Sequence, residues 1–293
     1  MQSIRTIPVL IGLAACAPSG EGCVLDGEPR ALDEVVREAS GLAASRAHEN
    51  VLWTHNDSEG GARIFAIDAD GVLLGRATLV GAQNRDWEDI AVADCPRGGP
   101  EGDCVFVADI GDNRATREGV GVWVAAEPDP RVDSEQRAVF FRVHYPDGPR
   151  DAEALAVSAD GRLIIVSKGR EHPIGAYRSA PLEWPADQTP VVELQLIGRL
   201  SDQPVDLPQQ ITGAALDRSG RTLALRSYAS LQLFELDGDR LRALVDAPIP
   251  LDTIGEPQGE GIAFGAAGRV YLVSEAGPQG IAPRLTRLRC RRP

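Results

Sequence analysis

The feature that most constrains this chain is a segment that occurs five times. Ser40-Gly41-Leu42-Ala43, Glu88-Asp89-Ile90-Ala91, Glu153-Ala154-Leu155-Ala156, Thr212-Gly213-Ala214-Ala215 and Glu260-Gly261-Ile262-Ala263 align without gaps, and their last alanines lie 48, 65, 59 and 48 residues apart. In the last three copies a glycine follows the alanine by five residues, at Gly161, Gly220 and Gly268, and each is followed by arginine. These glycines read as hairpin turns, where the missing Cβ permits a positive φ. β-rich runs come next, Leu163 to Ser167, Thr222 to Ser227 and Val270 to Ser274, with further ones at Gly121 to Ala125, Val139 to Tyr145 and Leu231 to Leu236. Units of about 50 residues, made of short strands with turn signals roughly every 8 to 12 residues and no helical periodicity, predict the blades of a β-propeller.

The expected architecture is all-β: five blades of four antiparallel strands, with six blades as the alternative. A small alanine suits an innermost strand, where neighbouring blades crowd the axis. The longest gap holds a cysteine-flanked insertion, and the next longest holds the Pro-rich stretch Pro173 to Pro190, which reads as an exposed loop. Only 30 residues follow Ala263, too few for three more strands, so an N-terminal strand near Cys23 is expected to complete the last blade.

The N-terminus carries an address. Arg5 precedes the short apolar run Ile7 to Ala15, which ends in small residues as export signals require. Leu13-Ala14-Ala15-Cys16 resembles the bacterial lipoprotein lipobox. That resemblance implies cleavage of residues 1–15 and acylation of Cys16, leaving residues 16–22 as a lipidated tether and 23–293 as a single domain. Six small tether residues span at most roughly 20 Å. Ala17 carries no inner-membrane retention acid, so the resemblance implies the outer membrane facing the periplasm, with secretion as the alternative. Export permits disulfides. Cys95 and Cys104 flank a turn-rich segment that can bring them together as a hairpin staple, and Cys23 and Cys290 then pair by elimination, tying the chain ends together.

The formal charge is −13, and of the 30 basic residues only Lys168 is lysine. Such acidity disfavours nucleic acid and charge-driven binding to anionic membranes, so membrane contact is expected only through the lipid anchor. No run approaches the roughly 18 apolar residues of a membrane span. A monomer that binds a small molecule or a periplasmic protein is the expectation; the alternative is a structural scaffold that recognises a protein through rim loops such as Arg170 to Pro190, with the acids structural only.

In a propeller the first residue of each copy, Ser40, Glu88, Glu153, Thr212 and Glu260, lines the axial channel, and the ends of the second strands add His55, Asn56, Asp57, Asp109, Lys168, Arg226 and Glu275. Neighbouring loops contribute Asp86, Asp89 and Asp112. Carboxylates gathered at one mouth repel each other unless a cation intervenes. A hard divalent cation, calcium by its preference for oxygen donors, is one remedy, with Glu88, Asp109, Glu153 and Glu260 as the ligands to test. The alternative is that these acids accept backbone hydrogen bonds or pair with arginine. Lys168 and Arg226 are the second remedy, with Asn56, Asp89, Asp112, Arg226 and Glu275 as candidate ligand-binding groups. If the chain is an enzyme, a metal-assisted hydrolase of an ester, lactone or phosphoester fits, with His55, Asp57 or Lys168 moving protons. Gly-x-Ser-x-Gly, His-Glu-x-x-His, Walker and Gly-x-Gly-x-x-Gly motifs are absent. Trp53 and Trp87 read as packing residues.

The stretches Asp86-Trp87-Glu88-Asp89-Ile90-Ala91, Ala108-Asp109-Ile110-Gly111-Asp112-Asn113, Glu153-Ala154-Leu155, Thr212-Gly213-Ala214 and Gln258-Gly259-Glu260 resemble a family of uncharacterised bacterial secreted and lipoprotein β-propellers, which has no agreed activity to carry over. More distantly, the Ser-Gly-Leu-Ala and Glu-Gly-Ile-Ala starts resemble calcium-dependent lactonase-type propellers. The chain lacks a full set of that group's ligand asparagines.

Overall fold

In a computed structural model the described residues are 22–290, apart from 59, 118, 187 and 188. The signal segment, Cys16 and all of the tether except Gly22 lie outside them. Among the described residues the chain is all-β with a few 3-10 turns, and it forms a β-propeller. Strand pairing divides it into five antiparallel units. The first comprises Ala39–Ala44, Val51–Asn56, Arg63–Asp68 and Leu73–Val80, and the second Trp87–Asp94, Asp103–Asp109, Gly121–Ala126 and Val139–His144. The third comprises Ala152–Val157, Arg162–Ser167, Gly175–Pro181 and Val191–Arg199, and the fourth Ile211–Leu216, Thr222–Ser227, Ser230–Asp237 and Arg240–Ala243. The fifth runs through Gln258–Phe264, Arg269–Glu275 and Arg284–Cys290 and borrows Cys23–Leu25 as its outer strand. Each innermost strand packs on the next, and the fifth packs on the first, so the ring closes.

Closure is covalent as well as hydrogen-bonded. Cys23 lies opposite Cys290 in the ladder and is disulfide-bonded to it across a separation of 267 residues. A loop of that length removes on the order of 5 kcal/mol of unfolded-chain entropy in the chain-entropy model. The Cys95–Cys104 staple closes a separation of 9 residues and is worth about 3 kcal/mol in the same model.

The apolar core falls into five clusters, one at each junction between consecutive units. The repeat alanines Ala43, Ala156, Ala215 and Ala263 are buried in four of these junctions, and Ala91 packs partly buried against a fifth. A larger side chain there would wedge two units apart, which is why the position stays small. Trp53 and Trp87 are fully buried in one junction, donating from Nε1 to Glu127 Oε1 at 2.8 Å and to the Gln83 carbonyl at 3.0 Å.

Two features depart from the sequence expectation. The Pro-rich stretch 173–190 contains a core strand, Gly175–Pro181, whose Ala176 and Tyr177 are buried. The outer edges are also laced by parallel pairings: Ser134–Arg137 beside Leu73–Val80, and Val139–His144 beside Val191–Arg199. The second and third units thereby share one eight-stranded sheet.

Candidate functional site

All five innermost strands carry the same irregularity. Their pairing with the second strand shifts register at the start of the repeat, between Ala39 and Leu42, Trp87 and Asp89, Ala152 and Ala154, Ile211 and Gly213, and Gly259 and Ile262. The residues in these bulges include Ser40, Glu88, Glu153, Thr212 and Glu260, the first residue of every copy. A bulge re-aims one side chain without ending the strand. Two of the five stitch neighbouring units: Ser40 Oγ donates to the Glu88 carbonyl at 2.8 Å, and Thr212 Oγ1 donates to the Glu260 carbonyl at 3.0 Å. The other three are buried glutamates.

Backbone bonds bring the remaining acids to this mouth. The Asp57 amide donates to the Glu38 carbonyl at 3.0 Å, the Trp87 amide to the Asp57 carbonyl at 3.1 Å, and the Gly111 amide to the Asp86 carbonyl at 3.3 Å. As a result Asp57, Asp86 and Glu88 each present a carboxylate oxygen, and the three oxygens lie within 4.8 Å of one another, a grouping that could hold a metal ion. Gly111 makes the approach possible. A Cβ there would lie 2.0 Å from Glu88 Oε1 and 2.5 Å from Asp86 Cγ. Asp57 Oδ1 is buried without a hydrogen-bond partner.

The electrostatics match this crowding. Burial, reinforced by Asp86 and Glu275, pushes Asp57 up to about 7. Burial raises Glu88 well above the ordinary glutamate range, with Glu153 and Asp57 adding to the effect. Asp86 is raised by burial against the opposing pull of Arg117. Burial with Glu153 and Glu275 raises Glu260 strongly, and burial with Glu38 and Glu153 pushes Glu275 up to about 7. Glu153 is raised by burial although Lys168 donates to its Oε1. Burial works against the charge on Lys168, but Glu153 outweighs it and holds the ammonium above its usual range. The one lysine is thus already paired with Glu153, and the ion pair at the Asp57, Asp86 and Glu88 group is a long one, Arg117 Nη1 lying 4.0 Å from Asp86 Oδ2 while its Nη2 serves Asp109.

The sequence candidates separate on this geometry. Glu88 joins Asp57 and Asp86; Glu153 pairs with Lys168; Glu260 Oε1 accepts from Gln258 Nε2 at 2.8 Å. Asp109 is held apart, its Oδ1 accepting from Arg117 Nη2 at 2.6 Å. Asp112 organises its own loop, its Oδ2 accepting from the Arg117 amide at 2.7 Å. Arg226 is a fully buried strut that donates to the carbonyls of Gly261 and Val273 at 2.9 and 3.1 Å and pairs with Glu256. Asn56 bridges backbone, donating to the Val35 carbonyl at 2.9 Å and accepting from the Glu38 amide at 3.2 Å. His55 is buried, packed edge-on to Trp87, with Nδ1 3.1 Å from the Asn56 carbonyl; burial lowers it to about 4, which keeps it neutral at pH 7. Asp89 lies beneath the mouth, its carboxylate bonded to backbone amides. Tyr228, raised by burial and by Glu260, was not singled out from the sequence. Asp86, a neighbouring loop acid in the sequence, lies in the bend before Trp87–Asp94, and the bulge at Glu88 brings that carboxylate to meet it.

No protein-family model and no curated protein matches the chain. Among solved structures, a PQQ-bound aldose sugar dehydrogenase from Streptomyces coelicolor is similar over 94% of this chain and 99% of its own, at 14% identity and a TM-score of 0.53. A gluconolactonase from Xanthomonas campestris matches over 93% of this chain and 99% of its own, with 16% identity and a TM-score of 0.45. The soluble aldose sugar dehydrogenase from Escherichia coli, in its apo form, matches over 92% and 99%, with 12% identity and a TM-score of 0.48. The first of these likenesses supports the propeller fold. None of them carries a reaction across to the carboxylate mouth, so the chemistry has to be argued from the side chains themselves.

Proposed function

We propose that this chain is an envelope β-propeller of five blades that binds one hard divalent cation, calcium by its donor chemistry, at Asp57, Asp86 and Glu88, and presents it to a ligand at the channel mouth. The observation that carries this reading is the convergence of three carboxylate oxygens within 4.8 Å, with Lys168 already paired to Glu153. All the donors are oxygens, as calcium prefers, and three carboxylates can supply up to about six of the six to eight it takes. The lipobox-like segment supports acylation at Cys16 and an outer-membrane location facing the periplasm. Elemental analysis of purified protein, followed by melting with and without chelator, tests the proposal. One calcium per chain and a Tm several degrees lower in chelator is the expected result; a metal-free protein whose Tm ignores both chelator and added calcium would overturn it.

A second reading is a metal-assisted hydrolase of an ester, lactone or phosphoester. It is favoured by Glu275, a half-buried carboxyl held near 7, where it can take or give a proton. A bound cation would polarise the scissile group, while Glu275 moves the proton. Turnover in an ester and phosphoester screen that disappears with chelator and with Glu275→Gln is expected on this reading, and its absence across the screen argues for binding without catalysis.

A further inference from the structure

Asp89 is fully buried and takes no part in the cation site. It occupies the second position of its repeat, where three other copies have glycine. Those glycines mark how closely the innermost strands converge. A Cβ on Gly41 would lie 2.5 Å from the Ile90 nitrogen, one on Gly213 2.7 Å from the Glu260 carbonyl oxygen, and one on Gly261 2.4 Å from the Ser40 carbonyl oxygen. An innermost strand has no further strand on its axial edge, so the amides facing the axis need an acceptor from elsewhere.

Asp89 supplies it. Its Oδ1 accepts from the Ile90 amide at 2.9 Å, and its Oδ2 accepts from the Leu155 amide at 2.8 Å and the Ala214 amide at 3.0 Å. Burial pushes the Asp89 carboxyl well above the ordinary aspartate range, and the amides of Leu155, Ala214 and Ile90, with Leu42 the weakest, pull it the other way by hydrogen bonding to the charged form. Each is the third residue of its repeat copy, so three of the five units hydrogen-bond the same amide to one group and a fourth, through Leu42, faces it. The bond to Ala214 joins the second unit to the fourth, which are not neighbours in the ring, so the carboxylate reaches across the axis.

We propose that the centre of the ring is an anion site built from main-chain amides, filled in this chain by the carboxylate of Asp89, and that emptying it leaves a site for a small carboxylate such as formate. Converging backbone amides form such concave anion sites elsewhere, and bonds to an ionised acceptor are the strong ones. The first repeat residues form the acidic mouth, whereas the cavity at the other end is lined from Leu42, Ile90, Leu155 and Ala214 onward. Asp89, the second repeat residue, lies between these two levels.

The test uses the full chain with Asp89→Ala and Asp89→Asn, and a milder core variant, Ile90→Val, as the salt control. Asp89→Ala is expected to melt on the order of 10 °C below the unaltered protein. Refolding it in formate is expected to restore at least half of that loss, in a saturable way that chloride at equal concentration does not match. Formate is expected to leave Ile90→Val unmoved. Asp89→Asn keeps the volume but sets an amide NH2 against N–H donors, so it is expected to be destabilised and insensitive to formate. If Asp89→Ala does not fold in buffer, soluble protein recovered from formate alone is the supporting result. The proposal is overturned if formate neither raises the Tm nor the refolded yield of Asp89→Ala, if it raises Ile90→Val equally, or if Asp89→Asn melts with the unaltered protein.

Discussion

The two ends of the axial channel are made by the same five strands and differ in what those strands present. At one end Glu88, Glu153 and Glu260 emerge from register shifts and meet Asp57, Asp86, Lys168 and Glu275. At the other the strands line a cavity of about 120 Å³ with Leu42, Ala43, Ile90, Ala91, Leu155, Ala156, Ala215 and Ala263. The bulges explain how one short repeat serves both purposes. A regular strand would alternate its side chains strictly; the inserted residue aims the first position into the channel while the following apolar residues keep their packing between units. Charge at the mouth and bulk at the alanines should therefore act on different properties.

The largest expected separation comes from Glu88→Gln. Removing one ligand carboxylate is expected to weaken calcium binding by on the order of 100-fold or more, measured by calorimetry. In chelator the same variant should melt at or above the unaltered protein, because the amide replaces a buried acid whose charged form burial, Glu153 and Asp57 oppose. A variant that loses stability in chelator but keeps its calcium affinity would break the separation of the two ends.

Next in size is the pH dependence of the cation-free protein. Asp57 and Glu275 are raised to about 7, and Glu88 and Glu260 well above the glutamate range, whereas in the unfolded chain such groups release their protons near pH 4. Between those values the folded chain holds more protons than the unfolded one. The sign is thus a loss: stability present at low pH declines as pH rises through 7. In chelator, denaturant melts at pH 5 and pH 8 are expected to differ in favour of pH 5. Saturating calcium should flatten the difference or reverse it, and a flat profile in chelator would contradict the crowded mouth.

At the opposite end, Ala156→Val overfills the junction between the third and fourth units and is expected to cost about 1–3 kcal/mol by chemical denaturation. Calcium affinity should stay within about twofold, as expected of distant, independent sites. Smaller still is Gly111→Ala, whose Cβ would displace Glu88 and Asp86 without removing a charge. An affinity loss of about tenfold with little change in Tm is expected, comparable to disturbing a supporting group of a metal site.

How far the sequence carries the structure follows from which interactions are local. The repeat spacing placed all five innermost strands, and the hairpin glycines Gly161, Gly220 and Gly268 do adopt positive φ. The Cys23–Cys290 pairing follows by elimination once Cys95 and Cys104 are stapled, the borrowed strand follows from the residues left after Ala263, and the structure has both. The Pro-rich stretch misled because its prolines flank Gly175–Pro181 and close it at its last residue, leaving the strand interior free of them. The outer parallel pairings left no local trace, since parallel partners are joined through long connections.

Within the site, residue types were legible and their partners were not. Asp109 and Arg226 have the character of ligand-binding groups, but Arg117 and Glu256, each in a connecting segment, claim them. Asp89 had one readable sign, an acid where three sister copies have glycine, and that sign marked the axis without saying which atoms would meet it there.

On the proposed function a cation is held at one defined end of the channel. Anomalous diffraction from crystals of the chain soaked in terbium, a calcium substitute with strong anomalous scattering, tests it most directly. One strong peak is expected within coordination distance of carboxylate oxygens of Asp57, Asp86 and Glu88, lost in Glu88→Gln. No peak at the mouth, or a peak that persists unchanged in Glu88→Gln, would contradict it.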